Sequence, residues 1–345
     1  MGLNIKEIVA KTPFDPKELK GKTVCVDAFN ILYQFLSTIR QPDGTPLQDE
    51  KGNITSHLSG LFYRNMALLN EGIKIIYVFD GEPPALKSNI HKKREEFRQK
   101  AKEKYEEGEQ AEDLEMMRRY SSQLVRLDDD MIKESKELLE AMGICVVQAP
   151  SEGESQAAYL SRREEIYGVV SQDYDSLVFG AKVLIRNLAV SRKKKMPSGY
   201  VEVQPERIVL KNLLKELELD EDKLIFLAIL VGTDYNPKGV PGIGQKKALK
   251  LVKEFNSPEE IFDSVQEKID ELPEEDKFDW RQIFSLFKAP KVNDAEIAFP
   301  NMNTEKIKEI LVKRHQFSEE RIVSQIEKLT KTKISKDQKN LNKWF

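Results

Sequence analysis

Short apolar runs alternate with helical patterns along the first two thirds of this chain. The runs are rich in Val, Ile and other buried-strand residues, and each has the length of a β-strand. They lie at 23–26, 75–79, 144–148, 168–172 and 183–186. Between them, apolar residues recur every three or four positions, which predicts helices over 28–40 and about 55–70. This alternation predicts an α/β fold with a mostly parallel central sheet flanked by helices.

One long segment departs from the alternation. Residues 81–141 are highly charged and favour helix, with few large apolar residues and an expected break near Gly108. A solvated helical pair or a coiled coil would explain this composition, but strict heptads are absent and basic residues crowd the half nearest Asp80. Because the insertion directly follows a predicted strand, it is well placed to form a lid or arch over the end of that strand.

Beyond residue 190 the pattern predicts a hairpin and then mainly helices. The hairpin is expected around 192–203, with helices over 205–232, from 245 to about 255, and through 256–330. Ahead of the helix at 245 stands a Gly-x-Gly turn that feeds two lysines. It is not a dinucleotide fingerprint, since no strand precedes it and the third glycine position is Lys247. Such a turn offers backbone N–H groups and positive charge to a phosphate. An ordinary turn without a ligand would have the same sequence pattern.

Acidic residues follow the predicted strands. Parallel strands bring their carboxyl ends to one edge of the sheet, the edge where open α/β folds bind ligands. Two acids each stop a strand, two more follow a third strand, and two open a helix just after a fourth. A seventh acid lies in a loop after the helix that ends near residue 232. In chain order these acids are Asp27, Asp80, Glu152, Glu154, Asp173, Asp175 and Asp234.

Carboxylates gathered in this way need a cation, because they cannot all stay ionised close together. Mg²⁺ prefers oxygen ligands and keeps several waters, so a magnesium site is the simplest explanation. Two ordinary explanations compete with it. Ser151 and Glu154 have the spacing of a capping box, and Asp173-Tyr174-Asp175 could form a polar turn. The recurrence of acids at successive strand ends favours the metal site.

Charge is balanced overall but unevenly distributed. The chain has 345 residues, enough for one large α/β domain with insertions or for two domains. The 55 Lys and Arg nearly cancel the 58 Asp and Glu, so net charge indicates no partner. Residues 87–104, however, carry a local balance of +5, and 192–195 form a second basic group. Basic patches beside an acidic cluster suit a phosphate polyanion that is cut with the help of metal ions.

The remaining composition points to a soluble intracellular protein. Cys25 and Cys145 fall inside predicted strands without metal-ligand spacing, so we expect inert core residues in a reducing compartment. No apolar run reaches the length needed to span a membrane. No signal peptide is recognisable, and the myristoylation pattern is absent because position 6 is lysine.

The last fifteen residues, 331–345, are expected to form a flexible polar tail. The tail ends in an apolar pattern, Leu341-x-x-Trp344-Phe345. Apolar side chains exposed on a solvated tail are unfavourable unless a partner buries them. We therefore interpret the ending as a docking peptide, in preference to a segment that folds back on the body.

Together these phrases resemble the flap endonucleases of the structure-specific 5′-nuclease family, the branch that includes Rad2-like and XPG-like enzymes. The resemblance covers essentially the whole chain. It is carried by VCVDAFNILYQFL, ITSHLSGLFYR, YVFDGEPPALK, APSEGESQAAY, QDYDSLVFG, ILVGTDYN, GIGQKKA, FSEERI and the C-terminal pattern.

The resemblance implies a PIN-like 5′-nuclease core with a helical arch and a helix–two-turn–helix DNA-binding element. A single nuclease domain would span 1–330 and be followed by the tail, 331–345. Within it, the implied parts are an N-terminal nuclease region at about 1–105, the arch at about 84–141, an internal nuclease region at about 142–255, and a C-terminal helical region at 256–330.

The implied activity is a phosphodiesterase that cuts 5′ flaps at branched DNA junctions, with 5′-3′ exonuclease activity, in lagging-strand primer removal and DNA repair. The seven acids would hold two Mg²⁺ ions about 3.5–4 Å apart, with Mn²⁺ as a substitute and Asp173 in a bridging position. Alternatives are a related 5′ exonuclease, a bubble-cutting nuclease and a non-catalytic clamp-bound adaptor. The insertion is short for a bubble cutter, and the intact acids argue against the adaptor.

The resemblance also implies roles for individual side chains. Lys87 and Arg94 match the active-site cations that hold the scissile phosphate, and Tyr33 matches the aromatic on which an unpaired base stacks. Thr55 and Arg321 fall where the family holds a one-nucleotide 3′ flap, and Arg40 is a further DNA contact. Duplex backbone, with a K⁺ ion on loop carbonyls, would be gripped by Gly242, Gly244, Lys246 and Lys247. The sliding clamp (PCNA) would bind Gln338, Leu341, Trp344 and Phe345.

Two features depart from the family pattern. His315 stands where a lysine is common, which puts the 3′-flap contact in doubt. The chain stops at the clamp-binding pattern without the basic tail of eukaryotic members, so it resembles the archaeal type. We accordingly expect a monomer, cytoplasmic in an archaeon and nuclear in a eukaryote.

Overall fold

The fold is described from a computed structural model. It describes residues 3–41, 44–111, 113–121, 124, 126–188, 193–196 and 199–341. For residues 85, 88–96, 114, 117–119, 193–196, 199–202 and 333–341 it describes the backbone alone.

Seven strands form one sheet, and two more form a separate hairpin. The strands are β1 Thr12–Pro13, β2 Thr23–Asp27, β3 Lys74–Phe79, β4 Cys145–Gln148, β5 Ile166–Val170, β6 Val183–Arg186, β7 Lys193–Met196, β8 Gly199–Glu202 and β9 Glu206–Val209. The sheet order is β1-β9-β6-β5-β2-β3-β4, and β7 pairs with β8. The five strands from β6 to β4 are parallel to one another. The prediction of a mostly parallel sheet is therefore confirmed.

Helices cover both faces of the sheet. Short 3₁₀ turns occur at Pro16–Leu19, Ala85–Lys87 and Glu274–Asp276, and a π-helical turn at Glu309–Arg314. The α-helices are α1 Ala28–Thr38, α2 Ser56–Glu71, α3 Ser88–Gln110, α4 Leu114–Ser121, α5 Asp129–Ala141, α6 Gly153–Leu160, α7 Asp175–Val178, α8 Leu210–Leu217, α9 Glu221–Val231, α10 Gln245–Glu254, α11 Pro258–Asp263, α12 Gln266–Asp270, α13 Trp280–Lys288, α14 Thr304–Lys308 and α15 Glu319–Leu341.

Period-two alternation within the buried strands divides the core into two layers. In β2, Val24 and Val26 point to the layer under α1, α2, α5 and α15, whereas Cys25 points to the layer under α6 to α10. Helices on both faces explain why these strands are continuous apolar runs rather than alternating ones. Cys25 and Cys145 are buried free thiols, as expected of core residues. Burial raises the pKa of the Cys25 thiol, which keeps it protonated and unreactive.

Two strands lie where the sequence pattern did not predict them. β9 occupies the start of the segment interpreted as helix over 205–232, and it pairs antiparallel with β6. β1 in turn pairs antiparallel with β9. Both strands are short: β1 is an edge strand, and β9 lies between β1 and β6. Segments of two and four residues are too short for local periodicity to carry much signal.

The charged insertion begins as expected but differs in detail. α3 runs through Gly108 to Gln110, so the break comes after that glycine rather than at it. α3 packs against α4, whereas α5 packs against α2 and β4 and buries Leu138 and Leu139 in the core. The exposed part of the insertion is therefore α3 with α4, and α5 belongs to the body.

The last helix continues into the segment expected to be the tail. α15 extends to Leu341, so the backbone of 331–341 is helical, while residues 342–345 lie outside the described residues. Flexible attachment of this segment and the domain boundaries remain predictions.

Candidate active site

The carboxyl ends of the central parallel strands meet at one edge of the sheet. In the register between β2 and β3, Asp27 lies opposite Val78, and Val78 lies opposite Val147 of β4. Asp80 follows β3 directly, and the acids of α6 and α7 follow β4 and β5. The predicted acids therefore come from adjacent chain ends, because parallel pairing aligns those ends.

The first acid pair is linked by an asparagine. Asp27 caps α1, and its Oδ1 accepts a hydrogen bond of 3.1 Å from the N–H of Asn30. The side chain of Asn30 donates to Oδ2 of Asp173 at 2.7 Å and accepts from the N–H of Gln172 at 3.1 Å. Asn30 thus orients Asp27 and Asp173 together, across two neighbouring strands.

Asp80 is held by the start of α6. The N–H of Gly153 donates to its Oδ1 at 2.6 Å. A Cβ on Gly153 would lie 2.7 Å from that oxygen and 3.0 Å from the carbonyl oxygen of Val78, so only glycine allows this approach. The N-terminus of α6 also carries positive partial charge, which favours a carboxylate there.

Glu152 is surrounded by a cation and a hydroxyl. Lys87 Nζ contacts Oε1 of Glu152, and Tyr235 Oη donates to its Oε2. Lys87 Nζ also lies 3.6 Å from Oδ2 of Asp234 and 5.3 Å from the centre of the Tyr235 ring. Tyr235 packs edge-on against Phe287 of α13, with ring centres 5.3 Å apart. Lys87 is therefore the counter-ion of these acids in this structure.

The other two acids lie deeper. Oε1 of Glu154 accepts a hydrogen bond from the Ser176 hydroxyl at 2.9 Å. Oδ2 of Asp175 accepts one from the N–H of Leu3 at 3.3 Å. Oδ1 of Asp175 is buried and accepts no hydrogen bond from any described residue. A buried carboxylate oxygen without a partner is unfavourable, so this atom calls for a ligand.

Burial and mutual repulsion raise the pKa values of five of the acids. Burial and the Asp80 carboxylate raise the pKa of Asp27 to about 8. Burial and the carboxylates of Asp234 and Asp173 raise the pKa of Asp175 to about 8. The pKa values of Asp80, Glu154 and Asp173 are raised as well, first by burial and then by neighbouring acids. Like charges in one crevice favour protonation, so the seven acids do converge.

The chemistry of this crevice fits divalent cations. Its polar atoms are carboxylate oxygens, which Mg²⁺ prefers as ligands, and the buried Oδ1 of Asp175 has no hydrogen-bond partner in the described part of the chain. Among the described residues no cluster of three or more His, Cys, Asp or Glu side chains is already closed around a metal position. Lys87 supplies the compensating charge on Glu152 instead. The acids therefore share one crevice, but the described side chains do not surround a metal position.

The two competing explanations of the acids are wrong. Glu152, not Ser151, is the N-cap of α6, and it makes no capping hydrogen bond. The Ser151 hydroxyl donates instead to the carbonyl of Glu82 at 2.9 Å. Asp175 is the first residue of α7 and is buried, so it does not belong to a solvated turn.

The structure places the other predicted site residues at varying distances from the acids. Lys87 lies inside the cluster, whereas Arg94 lies on α3 with only its backbone described. Tyr33, on α1, is 41% exposed, an unusual exposure for a large aromatic and one that a stacking base requires. The stacking role itself remains a prediction.

The predicted 3′-flap and DNA contacts are structurally diverse. Thr55 occupies the N-cap position of α2 without a side-chain capping hydrogen bond and is buried, while Arg321 is exposed near the start of α15. Arg40 donates to the carbonyls of Leu36 and Gly44 and to the hydroxyl and carbonyl of Ser121. These bonds tie α1 to the end of α4, so Arg40 has a structural role whether or not it also contacts DNA.

The glycine-rich turn joins two helices. α9 ends at Val231 and α10 begins after its N-cap, Gly244. Gly242 adopts a left-handed conformation with φ of 73°, which favours glycine. Lys247 Nζ donates to the Gly242 carbonyl at 3.1 Å, and the Lys246 side chain is 78% exposed. The arrangement presents the Lys246 ammonium to solvent, where a backbone phosphate can reach it.

The predicted clamp-binding residues fall at the limit of the described chain. Gln338 and Leu341 lie on the last turns of α15, with only their backbone described. Trp344 and Phe345 lie outside the described residues. None of the described helices is both long and apolar enough to cross a membrane.

Sequence reasoning missed four residues that support the acids: Asn30, Gly153, Ser176 and Tyr235. Each is uncharged, and each lies within three residues of an acid that was singled out. That proximity is the only signal in the sequence. It becomes informative only once the hydrogen bonds are known.

Family models and individual proteins match this chain. The XPG N-terminal domain model matches residues 3–101, and the XPG I-region model matches residues 143–234. Flap endonuclease 1 of Thermococcus onnurineus is 46% identical over 348 residues, covering 100% of this chain and 99% of that protein. Flap endonuclease 1 of Pyrococcus furiosus is also 46% identical over 348 residues, with the same coverage.

Solved structures match as well. Flap endonuclease-1 from Methanococcus jannaschii superposes with a TM-score of 0.75 at 37% identity, covering 97% of this chain and 100% of that one. The catalytic core of Rad2 in complex with DNA substrate superposes with a TM-score of 0.68 at 24% identity, covering 94% of this chain and 97% of that one. At that identity the second likeness concerns the fold alone.

Proposed function

The chain belongs to the flap endonuclease 1 family, and from this premise we propose that its seven acids form the active site of a nuclease that cuts 5′ flaps at branched DNA junctions. The observation that carries the proposal is the crevice itself. Acids from five separate segments repel one another there, around a buried Asp175 oxygen that accepts no hydrogen bond from the described residues. Such a site stores negative charge that a stable scaffold would not tolerate without a ligand.

Two Mg²⁺ ions, or Mn²⁺ in their place, would be held by Asp27, Asp80, Glu152, Glu154, Asp173, Asp175 and Asp234. When bound, such ions supply a nucleophilic hydroxide at neutral pH and stabilise charge on the phosphate and the leaving oxygen. Asn30, Ser176 and Tyr235 would orient Asp173, Glu154 and Glu152 as ligands through their hydrogen bonds.

Lys87 would act on the DNA during the reaction. Its ammonium pairs with Glu152 and Asp234 in this structure. From its place at the foot of the insertion it would also contact the scissile phosphate and stabilise the charge that develops there. Arg94, which lies on α3 seven residues after Lys87, would add a second positive charge to stabilise the phosphate.

The DNA lies across the edge of the sheet. Tyr33 offers an exposed ring on which an unpaired base can stack. The duplex side is gripped by Gly242, Gly244, Lys246 and Lys247 between α9 and α10, with K⁺ on the loop carbonyls. Thr55 and Arg321 would contact a one-nucleotide 3′ flap, and Arg40 would be a further DNA contact. The C-terminal residues Gln338, Leu341, Trp344 and Phe345 bind the sliding clamp.

Substrate choice tests this function directly. The protein should cleave a double-flap junction in Mg²⁺, with weaker cleavage of nicked duplex and none in EDTA. Preferential cleavage of a bubble, or degradation from a free 5′ end with no junction preference, would favour the related nucleases. Binding of the junction without cleavage at any Mg²⁺ or Mn²⁺ concentration would leave only the clamp-bound adaptor.

The first variant to test is Asp175→Ala. It should lower the cleavage rate by at least about 10³-fold, roughly 4 kcal/mol of transition-state stabilisation, while junction affinity in Ca²⁺ stays within about twofold. Asp263→Ala is the matched control, since Asp263 is exposed at the end of α11. Normal turnover by Asp175→Ala would remove Asp175 from the site.

A further inference from the structure

His315 lies between two carboxylates from distant parts of the chain. Its Nδ1 is 2.9 Å from Oδ2 of Asp49, and its Nε2 is 2.9 Å from Oε2 of Glu134. The imidazole side chain is only 9% exposed. Asp49 lies in the loop between α1 and α2, Glu134 lies on α5, and His315 ends the π-helical turn before α15. One ring therefore joins three segments.

Asp49 is fixed as a carboxylate by its own turn. Its Oδ1 accepts the N–H groups of Lys51 at 2.9 Å and Asn53 at 2.8 Å, and its Oδ2 accepts the Asn53 side-chain amide at 2.8 Å. Burial would raise the pKa of Asp49, but the hydrogen bonds from Asn53 and His315 outweigh it and lower the pKa well below the usual range. Asp49 is therefore ionised and accepts these hydrogen bonds as a carboxylate.

Glu134 is also ionised. Its other oxygen, Oε1, lies 3.4 Å from Nη1 of Arg314. Burial acts to raise the pKa of Glu134, but His315, His57 and Arg314 together lower it. Arg314 is in turn held by Glu137 and Glu309, so the cationic and acidic groups at this end of α5 form one network.

Two ionised carboxylates facing the two ring nitrogens determine the state of the ring. A neutral imidazole has one N–H and could donate to only one of them, leaving a lone pair opposed to the other. An imidazolium donates to both. Hydrogen bonds to Glu134 and to Asp49 accordingly raise the pKa of His315 above its ordinary value, against the effect of burial.

His57 is the remaining titratable group against this ring. It is buried in α2, and burial together with the charge on His315 lowers its pKa to about 4, although Glu134 and Asp128 act in the opposite direction. His57 therefore stays neutral while His315 is charged. The charge that changes near neutral pH in this network belongs to His315.

The segment held by His315 leads directly to Thr55. The loop from Arg40 to Thr55 folds back on itself, with bridges between Arg40 and Pro46 and between Gln48 and Ile54. Thr55 donates its N–H to the Leu47 carbonyl at 2.8 Å. The tip of the loop touches the body through His315 and through Gln316, whose side chain accepts the N–H of Glu50 at 3.4 Å.

The backbone at this contact is unusual. Gln316 adopts a left-handed conformation with φ of 53°, which a non-glycine residue adopts only when its surroundings hold it there. Its side-chain amide donates to the carbonyl of Arg314 at 3.0 Å. The turn that presents His315 to both acids is therefore a fixed part of the structure.

We propose that His315 is a positioning residue whose imidazolium clasps the Asp49 turn to α5, and that loss of its proton loosens the turn and weakens binding of the DNA 3′ end beside Thr55. The effect on DNA rests on the proposed function. The contact of His315 with Asp49 and Glu134, which we call the clasp, does not depend on that function.

The clasp has a defined pH window. Because folding raises the pKa of His315, its protonation stabilises the folded protein. This stabilisation is fully present below the unfolded pKa near 6.5 and is lost as pH rises through the raised folded pKa. Glu134 contributes above its unfolded pKa near 4 and loses that contribution as pH falls through its lowered folded pKa. The clasp is therefore most stable between the unfolded pKa of Glu134 and the unfolded pKa of His315, and it opens as pH rises above that range.

The clasp is tested first without DNA, on the full-length protein. Side-chain NMR resolves the three histidines of the chain, and His315 should titrate above 6.5 while His57 remains neutral as an internal reference. Asp49→Asn and Glu134→Gln should each lower the His315 pKa. A His315 pKa at or below 6.5, or one that neither variant moves, would overturn the clasp.

The consequence for DNA is tested with His315→Lys and His315→Gln. For the wild type, the affinity ratio between junctions with and without a one-nucleotide 3′ flap, measured in Ca²⁺, should fall by roughly tenfold from pH 6.5 to 9, the size of one charge-assisted hydrogen bond. His315→Lys should keep the ratio constant over that range, and His315→Gln should show the low ratio at both values.

The two measurements separate the clasp from the proposed function. Loss of all cleavage together with a normal His315 titration would refute the nuclease and leave the clasp intact. A pH-independent ratio in the wild type, with the raised titration present, would refute the positioning role. Parallel pH dependence in wild type and His315→Lys would also refute it, because lysine does not titrate below pH 9 in this setting.

Discussion

At the scale of single residues, burial and neighbouring carboxylates favour the protonated form of acids in the crevice. Asp27 and Asp175 have pKa values raised to about 8, so both carry protons at pH 7 in the metal-free protein. Metal ligands must be deprotonated, and metal binding therefore releases protons. Affinity for divalent ions should accordingly increase with pH up to about 8.

This yields a prediction about proton release. Binding of Mg²⁺ at pH 7 should release on the order of one to two protons, measured by calorimetry in two buffers of different ionisation enthalpy. Asp175→Asn should release fewer. At pH 9, where both acids are already ionised, the release should vanish. A release that does not depend on pH would mean that these acids are not the ones that the metal neutralises.

Stability should change with pH in the sense set by the same groups. A carboxyl whose pKa rises on folding stabilises the fold below its unfolded pKa near 4 and loses that contribution as pH rises through about 8. The melting temperature of the metal-free protein should therefore fall between pH 5 and 8.5, and less so in Asp175→Asn. Added Mg²⁺ should restore it, because ligands that bind only the folded state stabilise it.

Of the residues that sequence reasoning missed, Tyr235 has the largest expected effect on metal binding. Its hydroxyl donates to Glu152 and its ring lies beside Lys87. A hydrogen bond to a charged group contributes about 1.5–3 kcal/mol. Tyr235→Phe should therefore raise the Mg²⁺ concentration for half-maximal cleavage, and the Mn²⁺ dissociation constant from electron spin resonance, by about tenfold.

The control for this variant is Tyr159→Phe. Tyr159 also donates to a carboxylate, Asp294, at 3.0 Å, but on the exposed side of α6. Its removal should leave both metal readouts unchanged. Equal effects of the two variants would mean that loss of a tyrosine hydroxyl affects the fold generally rather than Glu152.

At the scale of elements, the connection between α9 and α10 joins Asp234 to the lysines that we propose contact duplex DNA. Asp234 lies at its start and Lys246 just after its end. The connection is compact because the N–H of Val240 returns to the carbonyl of Leu230 at 2.9 Å. A close approach between Gly239 and the carbonyl of Val231 also excludes any side chain at position 239. Its two ends therefore keep a fixed separation.

We expect the lysines of α10 to contribute through charge alone. Lys246→Ala with Lys247→Ala should weaken duplex binding and reduce the slope of log affinity against log salt by about 0.9 for each phosphate that is no longer neutralised. Fluorescence anisotropy over a salt series measures this. The same double change at Lys250 and Lys253, further along the helix, is the matched control. An unchanged salt slope would place the duplex elsewhere.

At the scale of the whole molecule, the proposed active site and the proposed clamp-binding residues belong to different elements. α15 packs its first half against α2, and the described chain ends at Leu341. Phe345→Ala should therefore leave cleavage in free solution unchanged and abolish its stimulation by the sliding clamp, measured with and without the clamp on the same double-flap DNA. Equal loss in both assays would mean that the tail supports the fold.

Several features were already determined by the sequence. Apolar runs of strand length predicted β2 to β6, because strands buried on both faces need continuous Val, Ile and Leu. Their acidic ends predicted a shared pocket, because parallel pairing aligns those ends. The parallel core and the convergence of the seven acids thus followed from local pattern and one topological rule.

Only the tertiary structure decided which side chains support that pocket. Asn30, Tyr235 and Gly153 are unremarkable in the sequence, and their roles come from partners that lie 143, 83 and 73 residues away along the chain. The pairing of β1 with β9 and the contacts around His315 also join distant segments of the chain. Local periodicity reports what a segment buries, whereas contacts between distant segments depend on how the whole chain packs.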